Sequence, residues 1–177
     1  EDDQKKRVDD FMYGAVIGDL AGSIYEYSQI KEIKPVVTSK IIPAQAFFSD
    51  DTILTVAIAE AALNHGNYET YLRKYINLYQ NYHPNFKPYF KSPFSPSLMQ
   101  WASKNQDGHS HGNGAMMRIS AIGHLFNIEE DVIREATLAT IPTHNSKEAI
   151  ISAQIIALMI FYFRKGLSKD EVYSLLN

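Results

Sequence analysis

The chain has 177 residues, enough for one domain with a substantial core and short for two. Its 17 Lys and Arg against 20 Asp and Glu leave a net charge of −3 with no basic block, so electrostatic binding of nucleic acid has no support. The absence of cysteine excludes disulfides, thiolate metal ligands and a cysteine nucleophile, and fits a reducing, cytoplasmic setting.

Glu1 to Asp10 is charged and polar, unlike a signal peptide. Val8, Phe11, Met12, Ala15 and Val16 then recur at helical spacing, continuing through Leu20 and Ile24, which predicts a first helix from Lys5 to Tyr25. Gly14, Gly18 and Gly22 lie on one face of it. Each costs about 1 kcal/mol relative to Ala in a helix, so three aligned glycines point to close approach by another helix or a ligand. Asp19 and Glu26, seven apart, fall on nearly the same face. A solvated face accounts for both acids, less well for Asp19 among Gly18, Leu20 and Ala21.

Ser28 to Phe48 has no helical period and contains Pro35 and Pro43, which predicts a loop with room for a short strand at Val36–Val37. It delivers the chain to Phe47-Phe48-Ser49-Asp50-Asp51-Thr52, followed by the apolar run Ile53 to Leu63. Two accounts fit this stretch. Ser49 or Asp50 caps a helix and Asp51 complements its dipole. Alternatively, Ser49, Asp50 and Asp51 form a set of hard oxygen donors suited to Mg²⁺, Mn²⁺ or Ca²⁺ rather than zinc or copper. Neighbouring side chains in a first turn project about 100° apart, which lets two carboxylates address two ions.

The helix from Asp50 is expected to end near Asn64-His65-Gly66 with Gly66 left-handed, and Asn67 to cap a helix from Tyr68 to Tyr82, stopped by Pro84. Its tyrosines, at spacings of three and four, read as half-buried packing with wet hydroxyls. Asn85 to Ser95 holds Phe86, Tyr89, Phe90 and Phe94 among prolines, a long surface loop of the kind used as a lid or docking edge. Ser95-Pro96 starts a short helix containing Met99 and Trp101. His109 and His111 have no third His or Cys nearby, which argues against zinc.

Gly112-Asn113-Gly114 precedes a predicted helix running from Ala115 through Ile119 and Ile122 to Leu125. Such glycines either make a tight turn or let backbone N–H groups approach an anion. Asn127 with Glu130, and Asn145 with Glu148, have capping-box spacing for helices to Thr140 and to Gly166. His144 stands at the mouth of the second, either as an ordinary loop histidine or as a donor to a phosphate or ribose. That second helix is the greasiest, yet Ser152 and Gln154 interrupt it and it falls short of the roughly 20 residues of a membrane span. Ser168-Lys169-Asp170-Glu171 opens a last helix. About eight helices and almost no strand, with no linker, read as a single all-α domain over residues 1–177.

Four motifs in this order, Gly18-Asp19-Leu20-Ala21-Gly22-Ser23-Ile24-Tyr25-Glu26, Phe48-Ser49-Asp50-Asp51-Thr52, Gly112-Asn113-Gly114-Ala115-Met116-Met117-Arg118 and Thr143-His144-Asn145, together resemble the ADP-ribosylglycohydrolase family, which includes dinitrogenase reductase-activating glycohydrolase. The resemblance implies an orthogonal multi-helix bundle with two Mg²⁺ (or Mn²⁺) ions at the base of an ADP-ribose cleft, and hydrolysis of ADP-ribose from a protein side chain or a small ADP-ribosyl conjugate. It implies Ser49, Asp50 and Asp51 as metal ligands, Ser49 replacing the family's usual Thr. It implies Asp50, Asp51 and Glu26 as catalytic acids, with Glu26 also beside the ribose. Gly112, Asn113, Gly114 and His144 are then ligand-binding residues.

The family's second acidic motif, Gly-Gly-Asp-x-Asp-Thr/Ser, has no counterpart before Asn177. The expectation is therefore a partial domain lacking its C-terminal helices, with weak Mg²⁺ binding, little activity of its own and an uncovered apolar face that favours self-association. Two other functions compete: a non-catalytic ADP-ribose-binding relative, and a helical interaction scaffold in which Ser49 to Thr52 is only a cap.

Overall fold

The structure, a computed structural model, describes residues 13–26, 40–83, 92–104 and 108–176. Among them helices dominate and there is no strand, only an isolated antiparallel bridge between His109 and His144. The domain is all-α, as the periodicity predicted. The expected helix turns before Tyr13, the possible strand at Val36–Val37 and the aromatic loop from Pro84 to Lys91 lie outside the described residues.

The first helix, α1 (residues 13–22), tightens into a 3-10 turn at Ser23–Tyr25. Then follow α2 (Asp50–Leu63), α3 (Tyr68–Tyr79), α4 (Pro96–Ser103), α5 (Gly114–Met117), α6 (Ser120–Leu125), α7 (Glu129–Thr140), α8 (Lys147–Arg164) and α9 (Lys169–Leu176). Buried residues cover most of the circumference of α2 (Ile53, Leu54, Thr55, Ala57, Ile58, Ala59), leaving the strip through Glu60 and Leu63 toward the surface, the mark of a largely buried helix. The short α6 lies between α2 and α8 and touches both. Gly123 makes this seat possible: a Cβ there would fall 2.4 Å from the Ala157 carbonyl oxygen and 2.7 Å from Ile160 Cβ. Helix α3 packs on α2, and α7 and α9 on α8.

The helix ends show which local signals held. Ser95 Oγ accepts from Leu98 N with Pro96 behind it, and Asn67 Oδ1 accepts from Thr70 N at 3.0 Å. Ser168 and Glu171 form a reciprocal box, with 2.7 Å from Ser168 N to Glu171 Oε2 and 3.4 Å from Glu171 N to Ser168 Oγ. Gly166, at φ 87°, closes α8 with paired bonds from Gly166 N to Phe163 O and from Leu167 N to Tyr162 O.

Several expectations are corrected. The left-handed residue ending α2 is His65 (φ 50°), with Gly66 N bonded to Ala61 O at 2.9 Å. Glycine is needed at 66 for another reason, since a Cβ there would meet the Tyr71 ring at 2.5 Å. Ser146, not Asn145, caps α8, its Oγ accepting from Ala149 N at 3.2 Å. Asn127 does not cap α7; it accepts from Arg164 Nη1 at 3.1 Å. Helix α3 stops at Tyr79, and the Tyr68 hydroxyl is not wet but donates to Glu135 at 2.7 Å. The glycine face of α1 receives no close neighbour among the described residues: a Cβ at Gly14, Gly18 or Gly22 meets nothing within 4 Å.

Arg73 ties α4 to α3. Its Nη1 lies 2.5, 3.1 and 2.8 Å from the carbonyl oxygens of Trp101, Ala102 and Lys104, and its guanidinium lies 4.1 Å from the Trp101 ring centroid. These are the orphan carbonyls of a helix C-terminus, met by a planar cation. Arg73→Ala is expected to lower unfolding free energy by about 2 kcal/mol, the scale of charged hydrogen bonds plus a cation–π contact. Arg73→Lys should recover less than half of it in urea titrations, because a point ammonium cannot serve three carbonyls and a ring together.

Candidate metal centre and adjoining cleft

The junction of α1 and α2 is built around one carboxylate. Asp19 Oδ2 accepts from Ser49 N at 2.8 Å, Thr52 N at 3.2 Å and Thr52 Oγ1 at 2.5 Å, and Oδ1 accepts from Ser49 Oγ at 2.8 Å. Side chain and backbone donors at the start of α2 are thus met by an anion 30 residues earlier in sequence. Beside it, fully buried Ser23 accepts from Phe47 N at 3.1 Å and donates to Leu20 O at 2.9 Å. Phe48 stacks on Tyr82 at 4.2 Å between centroids, holding the approach to α2 from the other side.

Ser49 is the N-cap, its Oγ accepting from Asp51 N at 3.2 Å. That oxygen also lies 3.1 Å from Asp51 Oδ2. A hydroxyl has one proton, and the shorter contact to Asp19 claims it. Asp51 Oδ2 therefore faces an oxygen with no hydrogen between them, an arrangement relieved by a proton or a cation.

Glu26 completes the cluster. Along a continuous helix seven residues advance about 10 Å, which would separate it from Asp19. The 3-10 turn and the extended backbone at Glu26 (ψ 165°) instead bring it back, so that Asp19, Glu26 and Asp51 each place a carboxylate oxygen within 4.8 Å of the others. Burial, then Asp19, Asp51 and Asp50, push Glu26 from its ordinary 4.5 up to about 7. Burial and Asp51 push Asp50 from 3.8 up to about 7, partly opposed by a hydrogen bond from its own backbone and by Arg118. Asp51 is raised by burial, then by Asp19. Crowded oxygen donors with no His or Cys among them fit a hard divalent cation such as Mg²⁺, Mn²⁺ or Ca²⁺.

Asp50 projects to the other side, into a cavity of about 590 Å³ also lined by Trp101, Gly112, Asn113, Gly114, Arg118 and His144. That volume suits a sizeable small molecule. The loop 108–114 is fastened to the α7–α8 connection by the His109–His144 bridge, with Ser110 N donating to Thr143 O at 3.0 Å. Gly108 allows this: a Cβ there would lie 2.2 Å from Thr143 Cα.

The predicted helix through Leu125 is broken at Arg118–Ile119, and this changes the electrostatics of the loop. A four-residue α5 carries little dipole to offer an anion. The positive charge comes from Arg118 instead, whose buried guanidinium donates from Nη2 to Ala139 O at 3.2 Å and Thr143 Oγ1 at 2.6 Å. Burial lowers it to about 10, still a cation at neutral pH. Its Nε and Nη1, Trp101 Nε1 and His144 Nε2 are buried without hydrogen-bond partners, and all three residues line the cleft. A second cavity of about 570 Å³, between the α2–α3 turn and α7, is lined by none of these residues.

Of the residues singled out from sequence, Ser49, Asp51 and Glu26 converge, Asp50 stands between them and the cleft, and Gly112, Asn113, Gly114 and His144 line that cleft. Asp19, Arg118, Thr143 and Trp101 were not among the candidates. Asp19 had a signal, an acid amid apolar and glycine neighbours; Arg118 had a weaker one, a charge followed by Ile119 and Ala121.

The all-α fold is of the ADP-ribosylglycohydrolase type. The chain belongs to the ADP-ribosylglycohydrolase family, whose sequence model matches residues 1–177. Membership carries glycohydrolase activity in general, in a family that is generally metal-dependent.

The acid cluster makes a testable demand on stability. Because Glu26 and Asp50 hold protons more tightly when folded, their contribution is full below the ordinary 4.5 and 3.8 and is lost as pH rises through about 7. In chelator-treated protein, the melting temperature of wild type relative to the Glu26→Gln/Asp50→Asn double variant should fall from pH 5 to pH 8. A pH-independent difference would refute the mutual repulsion.

Proposed function

We propose that this chain carries the cation-binding and ligand-binding face of a Mg²⁺- or Mn²⁺-dependent hydrolase that releases ADP-ribose from a modified protein side chain or a small ADP-ribosyl conjugate. The observation that carries this reading is the placement of three carboxylates within 4.8 Å of one another beside a cleft lined by unpartnered N–H donors. One side favours cations, the other oxyanions, as a sugar joined to a diphosphate requires. Ser49, Asp50, Asp51 and Glu26 would hold the ions. Divalent ions held there would supply Lewis-acid stabilisation of charge developing at the sugar.

The chain's own residues do the rest. Gly112, Asn113 and Gly114 let the loop backbone approach the diphosphate, with Arg118 supplying the buried positive charge and His144 a hydrogen bond. Glu26 and Asp50, with proton affinities near neutrality, suit taking a proton at a carboxylate oxygen and returning it. A cytoplasmic location belongs to the same proposal; among the described residues no helix is long and apolar enough to cross a membrane.

Calorimetric titration with Mg²⁺ or Mn²⁺ tests the cation half. Asp51→Asn is expected to weaken binding by about tenfold or more, the loss of one charged ligand, and equal binding by the variant would sink it. Release of ADP-ribose from a modified arginine peptide, by this chain or one extended at its C-terminus, tests the hydrolase half. ADP-ribose binding with no release under either condition would mark a binding protein instead.

A further inference from the structure

Thr143 and His144 are both buried, and each is held by more than its backbone. Arg118 Nη2 donates to Thr143 Oγ1 at 2.6 Å, and the same oxygen lies 2.7 Å from His144 Nδ1. A guanidinium only donates, so Arg118 occupies a lone pair of the hydroxyl. The hydroxyl's single proton needs an acceptor, and of its two partners only His144 Nδ1 can be one. Were Nδ1 protonated, the Thr143 oxygen would receive two donors and its own proton would be left buried without a partner, a state folded proteins avoid.

We propose that Thr143 is a positioning residue whose hydroxyl, oriented by Arg118, fixes His144 with its ring proton on Nε2, so that the ring offers the cleft a donor and meets an acceptor oxygen of the ligand. The hydrogen bond made by one ring nitrogen sets the state of the other. The backbone that carries the ring is held in place: His144 N donates to Thr140 O at 3.0 Å and its backbone bridges His109. Its free edge faces Gly114, where a Cβ would sit 3.1 Å from Cε1 and 3.4 Å from Nε2, so the glycine keeps that edge clear. His144 Nε2 is buried with no partner in the protein, as a donor reserved for a ligand should be. Burial, Arg118 and His111 hold the imidazole down at about 4, which leaves a single ring proton at neutral pH. The identity of the ligand rests on the proposed function; the position of the proton does not.

The test uses the full chain with isotope-labelled histidine, the His144 signals being assigned by their loss in His144→Gln. Long-range proton–nitrogen correlation at neutral pH should show Nε2 protonated and Nδ1 bare in wild type and in Thr143→Ser. Thr143→Val removes the donor and should shift the ring toward the Nδ1–H form. ADP-ribose affinity should fall by about tenfold in Thr143→Val, the equivalent of one lost hydrogen bond, and by less than about twofold in Thr143→Ser. A wild-type ring protonated on Nδ1 or on both nitrogens overturns the proposal, as does a Thr143→Val protein with unchanged tautomer and affinity. If the valine variant does not fold, wild type and Thr143→Ser decide the matter alone. Absent ADP-ribose binding in a wild type that shows the Nε2–H ring overturns the ligand assignment and supports the relay.

Discussion

One carboxylate, that of Asp19, decides where the other acids of this protein can be. Its two oxygens take donors from Ser49 and Thr52, backbone and side chain, and so fix the end of α1 against the start of α2. Hydrogen bonds to a charged acceptor contribute about 1.5–3 kcal/mol each. Two like charges 4 Å apart near a protein surface repel by about 4 kcal/mol. The junction's bonds and the crowding of Asp19 with Glu26 and Asp51 are therefore of similar size. Burial first, and that crowding after it, make Glu26, Asp50 and Asp51 hold protons more tightly than usual. A cation would relieve the same crowding without a proton, so the structural clamp and the candidate cation site coincide.

The opposite electrostatics prevail a few residues away. Arg118, fully buried, leaves two of its nitrogens unpartnered, and it sits close enough to Asp50 for that acid to support its charge. Asp50 is thus the hinge between a cation-seeking cluster and a donor-lined cleft. The break between α5 and α6 accompanies this placement: the chain leaves helical geometry at Arg118, and the guanidinium reaches Ala139 and Thr143. Glycines at 108, 114 and 123 serve the same construction by close approach, letting a loop lie on the α7–α8 connection, an imidazole edge stay clear and α6 seat on α8.

Much of this was legible in the sequence where the cause is local. Helix starts at Ser95-Pro96, Asn67 and Ser168, and the stop at Gly166, follow from side chains and backbone freedom within one turn. Where two cap formers stand side by side, as at Asn145 and Ser146, local energies nearly tie and the surrounding packing chooses. At His65-Gly66 the left-handed residue is His65, and Gly66 lies against the Tyr71 ring, where a Cβ would meet it at 2.5 Å. Ser49, Asp50 and Asp51 announced themselves as oxygen donors because they are contiguous. Asp19 announced itself only as an acid amid apolar and glycine neighbours, not as the clamp, because its partners lie 30 residues on. The relay from Arg118 through Thr143 did not announce itself, since it spans 25 residues and exists only once the helices have packed. The glycine face of α1 meets no neighbour among the described residues, since spacing on one face does not itself bring another helix to it.

Crystals of the protein grown with Mn²⁺ and measured for anomalous scattering test the central claim most directly. The account predicts a peak bonded to Asp51 and to Glu26 or Asp50, at the mouth of the cleft. Manganese bound elsewhere, or an occupied cleft with these carboxylates turned into solvent and no ion between them, would contradict it.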